Sequence, residues 1–144
     1  METQMSFREK SAWAMTFILI SAGAYYFQKI IGISEAIGHT APPVIPLVIF
    51  YVIFIVIASV IIMPIIAGTS GNEANDPTDE RDQIIIDKAG HWSGYVLAMG
   101  IIAGLFNFSF TSDGNLLFHI AFASLMLSQI AEYVLQIVLY RRGV

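Results

Sequence analysis

Cysteine is missing from the 144 residues, which excludes disulfides, thiolate metal sites and thiol redox chemistry. Charge is scarce. Asp, Glu, Lys and Arg make up 12% of the chain, where about 25% is usual for a soluble domain. With a mean hydropathy of +0.70, the chain has too little polar surface for an ordinary soluble globule. Histidine occurs three times, a thin ligand set for zinc or haem in the absence of cysteine. No complete catalytic, cofactor-binding or nucleotide-binding signature is present. No cofactor, metal or nucleic-acid partner is therefore expected, and no residue is nominated as catalytic. Internal repeats and low-complexity segments are also missing.

What the chain does have is four apolar runs, near Ala12–Ile33, Val44–Ala67, Gly90–Phe110 and Leu116–Tyr140. A bilayer core takes about 20 apolar residues per helix, and each run is long enough. Each must be helical, because an open strand in lipid leaves backbone groups unpaired. The expected fold is all-α: one integral membrane domain over residues 1–144, a bundle of four transmembrane helices.

The formal charge of −4 is less informative than its placement. Arg8 and Lys10 precede the first run, Arg81 and Lys88 lie between the second and third, and Arg141 and Arg142 follow the fourth. With four spans these positions share one side of the membrane, and only Lys29 falls on the other. The positive-inside rule then expects both termini in the cytoplasm. Arg8, Lys10 and the apolar run after them resemble a signal peptide, with Ala22-Gly23-Ala24 as a cleavage site. The run continues through Tyr25, Tyr26 and Phe27, so an uncleaved anchor is expected.

Pro42, Pro43 and Pro46 stiffen the first outer connection, and Pro64 is expected to kink the second span by freeing the carbonyl of Val60. After the flexible Gly68–Asn72 stretch, Asp76-Pro77-Thr78-Asp79 reads as a helix start with Asp76 as N-cap and Pro77 at the first position. Asp79, Glu80 and Asp82 then sit where the helix dipole favours negative charge. The acidic helix start over 76–88 would project into the cytoplasm ahead of span three. Gly90, Gly94 and Ala98 recur every four residues, and Gly100 and Gly104 repeat the spacing. Such small faces let helices approach closely in lipid, so span three is expected at the centre of the bundle, with a dimer seam as the other use. Thr111–Asn115 is a short polar turn that predicts a tight hairpin of spans three and four.

Three polar groups could carry function. Glu132 lies about 13 Å along the helix before Arg141, well inside the membrane, where an ionised carboxylate must be protonated, paired or wetted. Ser124, Ser128, Gln129, Glu132 and Gln136 fall within about 140° of one another at 100° per residue. This polar stripe is expected to face the bundle interior, with Ser21 and Ser59 at the depth of Glu132. It would serve as hydrogen-bonded packing glue or as a proton or cation site. His119 and Asn107 share a level near the outer face, with Tyr25 and Tyr26 close by. The third group is the cytoplasmic acidic segment: Asp76, Asp79, Glu80, Arg81 and Asp82.

Asn75, Asp76 and Asp79 resemble the NDxxDxxxD motif of membrane prenyltransferases, which implies carboxylates holding Mg²⁺ on a diphosphate. Asp82 comes one residue early, a second such motif is missing, and the chain has under half the spans of that fold. A membrane enzyme using Asp76 and Asp79 is thus a remote alternative. Asp79-Glu80-Arg81-Asp82, Ile85 or Ile86, Lys88-Ala89 and the glycine-bearing span resemble a group of small four-helix prokaryotic membrane proteins. Members carry a DER-type acidic motif before their third span. This resemblance implies a prokaryotic cytoplasmic membrane and no reaction. The leading expectation is a non-enzymatic membrane protein that interacts with a partner at its cytoplasmic face, with the lipid bilayer around it. Gly90, Gly94, Gly100 and Gly104 would serve any homo-oligomer. The alternative is a small proton- or cation-coupled transporter using Glu132. It differs from small multidrug transporters, whose carboxylate lies in the first helix.

Overall fold

The computed structural model describes residues 5–143. All regular structure among them is helical: α1 (Phe7–Ile37), α2 (Ile45–Thr69), a short 3-10 helix (Gly71–Asn75), α3 (Glu80–Thr111) and α4 (Gly114–Arg142). All four α-helices are long and apolar enough to cross a membrane. The end carrying Arg8, Arg81 and Arg141 is called the basic end below, and the other the hairpin end.

The helix ends follow local chemistry. Ser6 caps α1 by accepting from the Glu9 amide at 3.2 Å. At its far end Gly38 adopts φ 76°, and its N–H closes on the Ser34 carbonyl at 2.9 Å. Asp79, not Asp76, is the N-cap of α3, accepting from Asp82 N at 2.7 Å. The 3-10 turn ends with Asp76 in extended backbone, so the helix begins only after it. The α3–α4 connection is the tight hairpin anticipated. Ser112 leaves α3 in the left-handed region (φ 53°), and Asp113 caps α4 through Leu116 N at 3.0 Å. Helix α2 runs through Pro64 without interruption.

The packing order is α2–α1–α4–α3. Helix α3 packs along α4, α4 along α1, and α1 along α2. Span three is therefore at an edge and not at the centre, and α1 and α4 carry the core instead. The burial pattern agrees: α2 has no buried residue, whereas α1 buries Ala12, Ile18, Leu19, Ala22, Tyr26 and Ile30. At the hairpin end Tyr51 of α2 reaches the Phe122 ring of α4, with centroids 5.2 Å apart. This contact brings α2 to α4 at that end.

Two glycines set the α3–α4 spacing. A Cβ at Gly100 would run into Ser124 Oγ, and one at Gly104 would meet Ile120 Cγ2 at 2.9 Å. Gly90 and Gly94 have nothing within 4 Å of the same position. Only half of the small-residue pattern in span three is used within the chain.

Candidate functional site

At the hairpin end, His119 of α4 is 5% exposed. Its Nε2 lies 2.8 Å from the Ala41 carbonyl, and that acceptor requires the proton on Nε2. Nδ1 is then an acceptor, and the Tyr26 hydroxyl donates to it at 3.4 Å. The Ala41 amide donates to Ser34 Oγ at 2.9 Å, so both backbone groups of this buried residue are satisfied. Nearby, Thr40 Oγ1 donates to Asp113 Oδ2 at 2.9 Å, and Asn115 Nδ2 to the Thr40 carbonyl at 3.4 Å. The Leu116 amide, then the Thr40 hydroxyl, hold the Asp113 carboxyl below its ordinary range, and nearby His39 adds to this. Together these bonds tie the α1–α2 connection to the start of α4.

The partner of His119 is thus Tyr26, not Tyr25. Tyr25 points outward to Phe50, 5.1 Å between centroids, and carries Lys29 Nζ 5.5 Å from its ring. Asn107 takes no part either, because its side chain only accepts from Thr111 Oγ1 one turn along, at 3.3 Å. Counting depth gave the level correctly, but adjacent residues on a helix point 100° apart. Sequence reasoning did not find Ser34, Thr40, Ala41 or Asp113. Their roles arise from loop positions that no periodicity reports.

At the basic end, Arg8 Nε pairs with Asp82 Oδ2 at 2.7 Å and Arg8 Nη2 donates to Thr78 Oγ1 at 2.7 Å. Tyr140 donates its hydroxyl to Asp82 Oδ1 at 2.8 Å, and Arg81 donates to the Tyr140 carbonyl at 3.3 Å. Arg141 pairs with Glu9 at 3.0 Å and sits over Trp13, 5.5 Å from the ring centre. A cavity of about 240 Å³ lies beside this latch, with Arg8, Glu73, Asp76, Asp82 and Tyr140 among its walls. Of the acidic segment, Asp82 is half-buried in these contacts and Asp79 caps α3, while Asp76, Asp79 and Glu80 are exposed. Among the described residues no three His, Asp or Glu side chains gather where a metal ion would sit.

The polar stripe of α4 divides. Ser124 donates to its own helix, at Ile120 O, 2.7 Å away, and Ser128 donates across to the Ser93 carbonyl of α3 at 3.0 Å. Ser128 thereby bonds the α3–α4 seam, and Ser124 lies in the same seam against Gly100. Gln136 is buried. Gln129 is exposed and Glu132 half-buried, and neither makes a hydrogen bond or an ion pair among the described residues. Ser21 donates to Phe17 O at 2.8 Å on the exposed side of α1, and Ser59 to Met15 Sδ at 3.4 Å, so neither joins Glu132.

On the α4 wheel, Leu125, Gln129 and Glu132 occupy the arc between Phe122, which meets α2, and Ser128, which meets α3. Leu125 and Gln129 are exposed on that arc and Glu132 is half-buried. Comparison with known proteins finds no matching family model, no matching curated protein and no matching solved structure.

Proposed function

We propose that this chain is a non-enzymatic membrane protein that acts by binding another membrane-embedded helix along the face of α4 that carries Gln129 and Glu132. One observation carries this reading: Gln129, exposed, and Glu132, half-buried, stand side by side on α4 without side-chain partners among the described residues. In hydrocarbon a lone carboxylate costs about 2.5–3.5 kcal/mol on insertion scales. Protonated, it still leaves a donor and an acceptor to be met, and an incoming polar helix meets both. The bias of basic residues supports an orientation with both termini in the cytoplasm. A single cysteine at His39 or at Gly143, labelled from outside intact cells, tests this: only the His39 position should react.

The association itself is tested by placing a photoreactive amino acid at Gln129 and irradiating native membranes. A discrete protein adduct is expected, and adducts with lipid alone would refute the reading. A second reading, a proton- or cation-coupled carrier, is favoured by the same unpaired, half-buried Glu132. Proton flux or uptake into proteoliposomes that is unchanged by Glu132→Gln would remove it.

A further inference from the structure

We propose that the groove between α1 and α2 at the hairpin end is a binding site for an anionic phospholipid, with one acyl chain in the groove and the phosphate at Lys29. A cavity of about 240 Å³ opens there, walled by Ser21, Ala22 and Tyr25 of α1 and by Phe50 and Phe54 of α2. Tyr25, Phe50 and Phe54 are all exposed, so the groove opens sideways, toward lipid. Its inner part asks for an apolar occupant, because the Ser21 hydroxyl is turned to the Phe17 carbonyl of its own helix at 2.8 Å. Its mouth is cationic. Lys29 folds back so that Nζ stands 5.5 Å from the centre of the Tyr25 ring, within cation–π range. An apolar slot with a cation at its mouth fits an amphiphile with an anionic head.

Depth agrees. Tyr25 meets Phe50 and Tyr26 meets His119, and Phe50 and His119 lie in the second turns of α2 and α4. Lys29, one turn further along α1, is therefore level with the first turns of α2 and α4. That is the rim of the bundle, where lipid phosphates would stand. From Lys29 to Ser21 is about 12 Å along the axis, most of the roughly 15 Å that one leaflet contributes to the hydrocarbon core. The slot thus has the length of a leaflet, and its cation is at the headgroup end. Nothing in the chain competes for the ammonium. The six other basic residues stand at the basic end, and no carboxylate pairs with Lys29 among the described residues. Glu35 lies about 9 Å further along α1 and about 120° around it. Asp113 is engaged by Thr40 and Leu116. A headgroup of net negative charge gains most from this lone cation, whereas a zwitterionic one carries a cation of its own.

The test places the chain in phosphatidylcholine vesicles with a trace of phosphatidylglycerol that carries a photoreactive diazirine in one acyl chain. A parallel sample holds equally labelled phosphatidylcholine instead. After irradiation, adducts are located by mass spectrometry of peptides. With phosphatidylglycerol they are expected to concentrate on the segments holding Ser21 to Tyr25 and Phe50 to Phe54. Their yield there should exceed that with phosphatidylcholine about fivefold, the effect of one lysine at an anionic headgroup. Lys29→Gln should remove that preference. Lys29→Arg keeps the cation and should preserve it, and Lys88→Gln, at the basic end, should leave it unchanged. Ser21→Phe, at an exposed position, fills the slot and should lose the adducts without moving the unfolding midpoint. Adducts spread evenly over the exposed faces of all four helices, equal yields with the two lipids, or a preference that survives Lys29→Gln would each overturn the site. The site uses α1 and α2 alone, so its failure leaves the association reading through α4 standing.

Discussion

Replacing His119 by leucine is the sharpest probe of how this chain holds its shape. The substitution keeps the volume and apolar character of a membrane helix. It removes the Nε2–H donated to the Ala41 carbonyl at 2.8 Å and the acceptor met by Tyr26 at 3.4 Å. Ala41 has no exposed surface and Tyr26 only 1%, so water cannot replace either bond. A buried acceptor left unpaired costs about 1–3 kcal/mol. The Tyr26 hydroxyl adds less, because a 3.4 Å contact is long for an O–H donor. The total expected loss is about 2–4 kcal/mol. Tyr26→Phe removes only the longer bond and should cost about 1 kcal/mol or less. The ring contacts of Tyr26 with Phe122, 4.6 Å between centroids, survive that change. The assay is reversible unfolding in mixed micelles, read by near-ultraviolet circular dichroism and tryptophan fluorescence. Far-ultraviolet signal is uninformative here, since membrane helices persist after tertiary contacts are lost. The double variant should cost less than the sum of the singles, because the two residues share a bond. His119→Leu within about 0.5 kcal/mol of wild type, or Tyr26→Phe costing the more, would refute the assignment of this latch.

Other consequences are equally direct. Gly100→Val drives a side chain into Ser124 and should cost at least 1–3 kcal/mol (approximately, by overpacking), while Gly94→Val leaves monomer stability unchanged; unfolding midpoints in micelles compare the two. Asp82→Asn breaks the pair with Arg8, whose groups are partly exposed, so a loss of about 1 kcal/mol or less is expected, shrinking as salt is raised. The Asp113 carboxyl is held below its ordinary 3.8, so its capping contribution is present above that pH and lost as pH falls below it; Asp113→Asn should flatten the acid side of the stability profile.

Class and span number follow from short-range properties, and these were legible. Hydropathy acts residue by residue, and a helix in lipid must satisfy its backbone within itself. The hairpin between Thr111 and Asn115 was legible for the same reason, because turn chemistry is local. The position of the α3 cap was not. Asp76 and Asp79 are equivalent as capping residues, and the choice depended on a 3-10 turn that leaves Asp76 extended. Tyr25 and Tyr26 were likewise equivalent by depth, and the direction of α1 toward α4 decided between them.

The sequence by itself determined four membrane-length helices, the separation of basic residues to one end, and a polar stripe on the last helix. These depend on composition and on the 100° turn of a helix, which need no knowledge of neighbours. Only the tertiary structure decided which residues of that stripe have partners. Ser128 is used in the seam with α3, whereas Gln129 and Glu132 have no side-chain partner among the described residues. The reason lies in the order α2–α1–α4–α3, which puts the glycine-bearing helix at a rim. Lipid is as apolar as the side chains it meets, so hydropathy cannot rank one helix neighbour above another. Close packing at Gly100 and Gly104, and the two latches at either end, supply that choice.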